Sequence, residues 1–473
     1  MQHVADRADG ADVGSATAAE PPRTERQALA RAAVPDHLDR LTWSRERIAA
    51  HQREGLRALV RTALADSPFH ARRLAGIDPD RLELDDLPSL PIMTKAAMMA
   101  SFDDVVTDRA VTRDAVEEHL ARTGWDGEEL FGRSMVLASG GSSGERGIFV
   151  LSRSAAVDYL LAVLRPGLAR IVALLGRLPD EPPRVALVAG GSAVHATRAL
   201  PSLFGGDLMM PTSIPATDPL PVVVDRLNQL QPLLLQGFPS VIRRLADEQL
   251  AGRLHLNVLS VASTSESLTP DTRARIDAAF GVGVVDLFGS SEGLVGLSPP
   301  DDPTLTLASD LTIVELVDEH DRPVPPGVPS AKVLLTNISN PLQPLIRYEL
   351  TDSFVRQPDA STDGHLRVRV DGRRDDELRF GDVIVHPLAV RTVLVTSPEV
   401  VEYQVRQTTD GIDIAVVPAA SCDGVDADAL ASRLTDSLTR AGLDEPVVRV
   451  QVVDASAIER HPITGKTKRF ITR

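Results

Sequence analysis

The sequence predicts an α/β protein with a large, multi-layered N-terminal domain that includes a β-meander, followed by a small, mobile α+β domain. From Ser134 onward, short apolar runs alternate with amphipathic segments, which is typical of parallel strands joined by helices. From Leu311 the pattern changes to apolar stretches separated by polar turns, which indicates antiparallel strands. A charged break at residues 371–376 (DGRRDD) precedes a last stretch that contains both strand-like and helix-like segments.

These observations divide the chain into three parts. The polar beginning, without apolar periodicity, predicts a flexible tail. The predicted parts are a tail at 1–35, a large domain at 36–371 and a small C-terminal lid domain at 372–473. The first predicted helix covers residues 44–66, where Leu56, Leu59, Val60, Ala63 and Leu64 recur at helical spacing.

Five apolar runs predict the strands of the large domain. They read SMVLAS, RVALVAGG, PLLLQG, NVLSVAST and GVVDLFG. Between them lie segments such as RSAAVDYLLAVL, VVVDRLNQL, VIRRLADEQL and TPDTRARIDAAF, which we interpret as helices. Several runs end in Gly/Ser-rich turns, and ligands of α/β folds gather at the carboxyl ends of strands. The sequence therefore predicts a site at that edge of the sheet.

Composition excludes several classes of partner and site. Lys+Arg 50 against Asp+Glu 66 gives a formal net charge of −16 over 473 residues, with no long basic stripe. Nucleic acid and membrane surfaces are therefore not expected partners. The single cysteine, Cys422, rules out an intramolecular disulfide and a multi-cysteine zinc site. With no apolar signal core and no run of transmembrane length, we expect a cytoplasmic protein, and the oligomeric state is left open, a homodimer included.

Lysine is rare in this arginine-rich chain. It occurs only at Lys95, Lys332, Lys466 and Lys468. Because lysine is a compact point charge and arginine a planar fork, a retained lysine suggests a specific role. We interpret Lys332 as a chance occurrence.

One glycine-rich loop has two competing interpretations. It lies between the apolar run at 134–139 and the run at 147–152. Its backbone N–H groups and hydroxyls could cradle phosphates. It also fits the G-x-S-x-G pattern of a nucleophile elbow, a pattern that recurs at residues 289–293. An elbow requires a helix after the turn, whereas the residues after this loop read as a strand, so the sequence favours a β-hairpin with a glycine-rich tip.

A set of ordered motifs identifies a family resemblance. The motifs are LPIMTK at 90–95, SGGSSG at 139–144, DLFGSSE at 286–292, LIRYELTD at 345–352, GRRDD at 372–376 and GKTKR at 465–469. In this order and spacing they resemble the adenylate-forming superfamily of acyl-CoA synthetases, and most closely its phenylacetate–CoA ligase-like branch. The resemblance covers nearly everything from about residue 40 onward.

The resemblance implies roles for residues of every motif except LPIMTK. The phosphate loop would be formed by Ser139, Gly140, Gly141, Ser142, Ser143 and Gly144, and further nucleotide contacts would come from Phe288, Gly289, Ser290, Ser291, Asp352 and Arg373. Glu292 would hold Mg²⁺, and Asp352 would accept hydrogen bonds from the ribose hydroxyls. Lys466 would bridge the carboxylate and the α-phosphate, and Asp375 would be the hinge about which the small domain rotates.

The implied activity is an AMP-forming acid–thiol ligase that uses ATP, Mg²⁺ and coenzyme A. The segments that would line the acid pocket, residues 190–192, 238–239 and 287–294, show no obvious charged anchor for the substrate, so we expect a neutral aromatic or medium aliphatic acid. Three alternatives remain: adenylation with transfer to a separate carrier-protein thiol or an amine, a G-x-S-x-G serine hydrolase, and a nucleotide-binding protein without turnover.

Overall fold

The computed structural model describes most of the chain beyond residue 22. The described residues are 23–122, 129–139, 147–177, 181–189, 208–216, 218–266, 268–300, 302–358, 363–373, 378–381, 383–385, 387–395, 397, 399–418, 424–460 and 469–472. Within them the predicted class is confirmed: a large α/β part with several sheets precedes a smaller α+β part. No helix within these ranges is both long and apolar enough to cross a membrane.

The first helix corrects the predicted tail. Helix α1 spans Arg23–Arg40, so the tail boundary at residue 35 is wrong. Ala30 and Val34 on this helix are buried in the largest hydrophobic cluster, and the His37 imidazole lies 2.9 Å from the Asp158 carboxylate. The sequence conceals this because the helix contains Pro35 and buries mostly small side chains.

Helices of the large domain follow in chain order. They are α2 (Arg45–Asp66), α3 (Pro68–Arg73), α4 (Lys95–Ala100), α5 (Phe102–Val105), α6 (Arg113–Arg122), α7 (Arg153–Leu175), α8 (Leu220–Leu230), α9 (Pro239–Leu250) and α10 (Pro270–Phe280), with a 3₁₀ turn at Leu84–Ser89. The helix predicted at 44–66 is confirmed as α2, whose first turn is capped by the Ser44 side chain. Leu56, Leu59 and Val60 are buried as their spacing predicts.

Two antiparallel units flank the main sheet. The first is a hairpin of β1 (Ser134–Ser139) and β2 (Gly147–Ser152), in which Ser139 is paired with Gly147. The second is the predicted meander, formed by β10 (Thr312–Val317), β11 (Lys332–Asn337) and β12 (Tyr348–Leu350). Lys332 lies 2.6 Å from Asp321 and 3.0 Å from Glu349, so its described contacts are structural ion pairs.

The main sheet has nine strands among the described residues. They are β3 (Arg184–Ala189), β4 (Met210–Pro215), β5 (Leu234–Gly237), β6 (Ser260–Thr264), β7 (Val284–Gly289), β8 (Val295–Ser298), β9 (Leu305–Leu307), β13 (Asp352–Arg356) and β14 (Arg367–Arg373). Their order is β13-β14-β9-β8-β7-β6-β5-β3-β4. Strands β3 to β7 are parallel, as the alternation with helices predicts, and the remaining pairings are antiparallel. Strand β7 therefore lies where the parallel part ends and the antiparallel part begins.

The small domain has its own hydrophobic cluster. Its elements are β15 (Leu378–Phe380), β16 (Val383–Val385), α11 (Leu388–Val395), β17 (Val400–Gln407), β18 (Gly411–Pro418), α12 (Ala427–Arg440), β19 (Val447–Val452), a 3₁₀ turn at Ala455–Ala457 and β20 (Phe470–Ile471). A four-stranded sheet in the order β19-β18-β17-β20 packs on the two helices. The domain boundary between 371 and 372 stays a prediction.

Candidate active site

The turn after β7 forms the centre of the candidate site. β7 and β8 are joined by residues 290–294, and the turn is closed by hydrogen bonds between Ser290 N and Leu294 O (3.0 Å) and between Gly293 N and Ser290 O (3.1 Å). The buried Tyr159 hydroxyl on α7 donates to the Ser290 carbonyl at 3.1 Å. A Cβ at Gly289 would lie 2.9 Å from this hydroxyl, so glycine is required for the close approach of helix and strand. Glu292 is therefore presented from a fixed hairpin turn.

Gly293 and Asn337 hold the backbone next to Glu292. Gly293 has φ +101°, a conformation that side chains rarely adopt. The Asn337 amide donates to the Glu292 carbonyl at 3.0 Å, and its own oxygen accepts from Ser339 N at 3.1 Å. A Cβ at Gly293 would lie 2.3 Å from Asn337 Nδ2. The meander strand β11 thus fixes the turn that carries Glu292.

The Glu292 carboxyl lies among other charged groups. Burial raises its pKa above the ordinary value, hydrogen bonding opposes that change, and the nearby Asp352 carboxylate raises the pKa further. The positive charge of the Lys95 ammonium lowers the pKa of Glu292. Glu292 therefore interacts electrostatically with Asp352, 60 positions later in the chain, and with Lys95, 197 positions earlier. A carboxylate whose charge is disfavoured by a neighbouring carboxylate suits a site for a divalent cation.

Asp352 and Arg373 are brought together by strand pairing. Asp352 begins β13 and is paired with Arg373 at the end of β14. Asp352 is buried, and two positions further along β13 the Phe354 ring packs edge-on against Phe288 with centroids 5.2 Å apart. This aromatic contact ties β13 to β7. The two predicted nucleotide-binding motifs at 286–292 and 345–352 thus converge, and Arg373 joins them through the backbone register.

Lys95 is a site residue that the motif assignment did not include. It begins α4, directly after Thr94, whose side chain caps this helix. The preceding residue, Met93, is placed by two backbone hydrogen bonds, from Met93 N to Arg347 O (3.0 Å) and from Glu349 N to Met93 O (2.9 Å). Its position at the end of the LPIMTK motif and the retention of lysine in an arginine-rich chain were the sequence signals that could have found it.

Arg347 explains why the LPIMTK and LIRY motifs occur together. Its buried guanidinium donates to Glu315 at 3.0 Å and to the carbonyls of Pro88 and Leu90 at 3.1 and 2.5 Å. Its own φ is +50°. Arg347 is therefore a structural connector that fixes the lead-in to Lys95 against the meander.

The serine hydrolase hypothesis does not fit either G-x-S-x-G segment. The segment at 289–293 connects two antiparallel strands, β7 and β8, and the loop at 140–146 lies between β1 and β2. A nucleophile elbow requires a strand, a turn and then a helix. The predicted hairpin at 134–152 is confirmed in its strands, and its glycine-rich tip lies outside the described residues.

Several predicted site residues lie outside the described part of the chain. These are Gly140, Gly141, Ser142, Ser143, Gly144, Asp375 and Lys466. Ser139 ends β1, and Ser290 and Ser291 belong to the turn that carries Glu292. The structure therefore describes the positions of Phe288, Glu292 and Asp352 and the backbone of Arg373. The functional roles of all predicted site residues, including the loop at 139–144 and Lys466, stay predictions.

The donor set near Glu292 fits Mg²⁺ shared with a nucleotide. Among the described residues, no group of three or more His, Cys, Asp and Glu side chains could hold a metal ion without other ligands. Mg²⁺ is usually held by one or two carboxylates together with substrate phosphates. The Glu292 carboxylate, with Asp352 nearby, matches that pattern.

Comparisons with known proteins agree with this geometry. The chain is 27% identical over 393 residues to the phenylacetate–coenzyme A ligase of Thermus thermophilus, covering 78% of this chain and 80% of that protein. It is 24% identical to the phenylacetate–coenzyme A ligase of Aromatoleum evansii, covering 91% of this chain and 95% of that protein. The chain is thus similar over most of its length to coenzyme A ligases, as the resemblance to the adenylate-forming superfamily predicts. Its similarity to these relatives confirms the predicted phenylacetate–CoA ligase-like branch, and no protein-family model matches it.

Solved structures of the superfamily share the fold of this chain. A crystal structure of 2-hydroxyisobutyryl-CoA ligase in the postadenylation state superposes with a TM-score of 0.65 at 19% identity, covering 91% of this chain and 89% of that one. The same ligase in the thioesterification state gives 0.52 at 20% identity, covering 90% of each chain. Both comparisons show that the fold is shared.

Proposed function

We propose that this chain is an ATP- and Mg²⁺-dependent acid–thiol ligase that activates a carboxylic acid as its acyl-adenylate and transfers the acyl group to coenzyme A. The observation that carries the proposal is the convergence of Glu292, Asp352 and Lys95, from three separate sequence motifs, at the junction of the parallel and antiparallel parts of the main sheet. Supporting it, curated relatives over most of the chain are named phenylacetate–coenzyme A ligases.

The chemistry explains the need for these groups. A carboxylate is a poor electrophile because its leaving group would be an oxide. In the first step a carboxylate oxygen attacks the α-phosphorus of ATP, and pyrophosphate leaves. In the second step the thiolate sulfur attacks the acyl carbon, AMP leaves and a thioester forms. The first step concentrates negative charge, which requires cations and N–H donors around the phosphates.

Each residue has a role in this proposal. Glu292 holds Mg²⁺, which neutralises phosphate charge when bound. Asp352 accepts hydrogen bonds from the ribose hydroxyls, and Arg373 contacts the nucleotide. Residues 139–144, with the turn at 288–291, surround the phosphates. Lys466 bridges the reacting carboxylate and the α-phosphate.

We add Lys95 to this set. It places a positive charge beside Glu292. This charge favours the ionised form of Glu292 that binds Mg²⁺, and it adds to the positive potential that attracts phosphates.

The substrate and the domain movement are also proposed. We expect a neutral aromatic or medium aliphatic acid, in keeping with relatives and structural neighbours that are named for phenylacetate and anthranilate. The small domain is proposed to begin at residue 372 and to rotate about Asp375 between the two steps. Coenzyme A is the proposed acceptor, with a carrier-protein thiol or an amine as the alternative. The reaction is expected to take place in the cytoplasm.

The proposal is tested by measuring AMP and pyrophosphate by mass spectrometry, with ATP, Mg²⁺ and a panel of carboxylic acids, in the presence and absence of coenzyme A. Acid-dependent AMP together with a coenzyme A thioester supports the proposal. AMP with no thioester would shift the acceptor to a carrier protein or an amine. Absence of AMP with every aromatic and medium aliphatic acid would refute the proposal for this substrate class.

The role of Lys466 has a test with a matched control. Lys466→Ala should abolish adenylate formation while leaving thioester formation from added acyl-adenylate much less affected. Lys468→Ala removes the same charge two residues away and should leave both steps nearly unchanged. An equal loss of both steps in Lys466→Ala would contradict the proposed role.

A further inference from the structure

Arg460 connects the small domain to the large one. Its guanidinium donates to the Glu402 carboxylate on β17 at 2.8 Å and to the Ser240 hydroxyl in the first turn of α9 at 3.1 Å. Ser240 is buried and 220 positions away in the sequence, and its backbone N–H donates to the Glu266 carboxylate at 3.2 Å. Arg460 is half-buried, and a charge-assisted hydrogen bond to a carboxylate on one side with a buried hydroxyl on the other fixes geometry more strongly than the polar contacts usual between domains.

The backbone on both sides of residues 461–468 is fixed to β17. Before this segment, Gln404 and Glu459 exchange two hydrogen bonds, from Gln404 Nε2 to Glu459 O (3.1 Å) and from Glu459 N to Gln404 Oε1 (3.3 Å). After it, Arg469 O accepts from Val405 N at 2.7 Å. Glu459 and Arg469, the described residues on either side, are thus both held by β17.

Charged groups from both domains meet at this point. The buried Arg469 guanidinium lies 4.9 Å from the centre of the Tyr403 ring and is attracted by Glu266 and Glu402. Within the described ranges, its Nε and Nη1 atoms have no hydrogen-bond acceptor. Arg244, one turn after Ser240 on α9, is repelled by Arg460 and attracted by Glu402. The bridge from Glu402 through Arg460 to Ser240 therefore keeps Arg460 of the small domain near Arg244 of the large domain. Without the Glu402 carboxylate, these two positive charges would repel each other.

We propose that Arg460 is a positioning residue for the first half-reaction, because its bridge from Glu402 to Ser240 joins the small domain, whose sequence includes Lys466, to the large domain. This inference rests on the proposed function. It predicts that the bridge serves adenylation and is not required for thioester formation.

The test compares three variants of the full-length protein. Arg460→Ala removes the bridge, and Arg460→Lys keeps a cation that can reach Glu402. Arg406→Ala is the control, because Arg406 pairs with the neighbouring Glu459 in an exposed ion pair within the small domain. Adenylation is measured as ATP–pyrophosphate exchange, and thioester formation is measured with synthetic acyl-adenylate and coenzyme A. Hydrogen–deuterium exchange of the first turns of α9 reports the contact without any substrate.

Arg460→Ala should slow adenylation about tenfold or more and thioester formation less than about threefold, with substantial recovery in Arg460→Lys and little change in Arg406→Ala. Exchange at residues 240–246 should rise in Arg460→Ala alone. Equal losses in both steps, or unchanged adenylation, would overturn the inference. If the unaltered protein adenylates no acid, the proposed function fails. Exchange at residues 240–246 then still tests the bridge: increased exchange in Arg460→Ala supports it, and unchanged exchange refutes it.

Discussion

Replacing Gly293 by alanine tests whether the turn that carries Glu292 is held as described. The new Cβ would lie 2.3 Å from Asn337 Nδ2, and the backbone at this position has φ +101°. The Asn337 side chain cannot turn away freely, because its amide donates to Glu292 O and its oxygen accepts from Ser339. Alanine should therefore break the bond to Glu292 and alter the position of the carboxylate.

The magnitude has two parts. A non-glycine residue at positive φ costs about 1–2 kcal/mol. Loss of the Asn337 bond, which leaves the Glu292 carbonyl without its partner, costs roughly a further 1–2 kcal/mol. Gly327→Ala is the matched control, since Gly327 has φ +83° and its Cβ would meet no atom within 4 Å. We expect a loss of about 3 kcal/mol for Gly293→Ala and about 1 kcal/mol for Gly327→Ala.

Urea unfolding of the two variants measures this difference, and ATP binding with Mg²⁺ by calorimetry reports the functional consequence. Gly293→Ala should weaken nucleotide binding that depends on Mg²⁺, whereas Gly327→Ala should not. If both variants lose the same stability and bind nucleotide equally, the contact between Asn337 and Glu292 does not hold the turn.

The remaining predictions concern charged and titrating groups. Lys95→Ala should raise the pKa of Glu292 further and slow adenylation about tenfold or more at neutral pH, with partial recovery at higher pH and in Lys95→Arg, as a pH–rate profile would show. The buried Arg165 guanidinium donates two hydrogen bonds, of 2.7 and 2.8 Å, to the Asp310 carboxylate. Asp310→Asn removes this counter-charge, and urea unfolding should show that the free energy of unfolding falls by about 3–5 kcal/mol. Burial and the Arg73 charge lower the pKa of His70 from its ordinary 6.5 to about 4. As the pH falls between these two values, His70 takes up a proton in the unfolded chain but not in the folded one, so the free energy of unfolding decreases. Unfolding at about pH 7.5 and about pH 5 should differ by roughly 2 kcal/mol more in the unaltered protein than in His70→Gln, and equal differences would contradict the buried, neutral imidazole.

The sequence predicted those parts of the fold in which local pattern and burial agree. Helix α2, the alternation that forms β3 to β7 and the meander of β10 to β12 follow directly from apolar spacing. Helix α1 was missed because Ala30 and Val34 bury little surface each, and a helix of small residues gains its stability from the surface on which it packs. No local signal distinguishes such a helix from a flexible tail.

The site was predictable in its residue types and less so in its contacts. The order of the motifs predicted Glu292, Asp352 and Arg373 as site residues without any structure. Lys95 entered the site only when Arg347 and Tyr348 were seen to hold the lead-in to α4. The bridge from Arg460 to Ser240 spans 220 positions and belongs to no motif, so only the packing of the two domains brings these side chains together.

The sequence by itself therefore determined the fold class, the superfamily and the set of residues proposed to handle the nucleotide, since these depend on short-range periodicity and on motifs of a few residues. The tertiary structure decided which charges meet: that Lys95 and Asp352 act in opposite directions on the pKa of Glu292, that Asp352 is paired with Arg373, and that Arg460 links the two domains. The physical reason is distance, because electrostatic interactions and hydrogen bonds act over a few ångströms in space and are indifferent to separation along the chain.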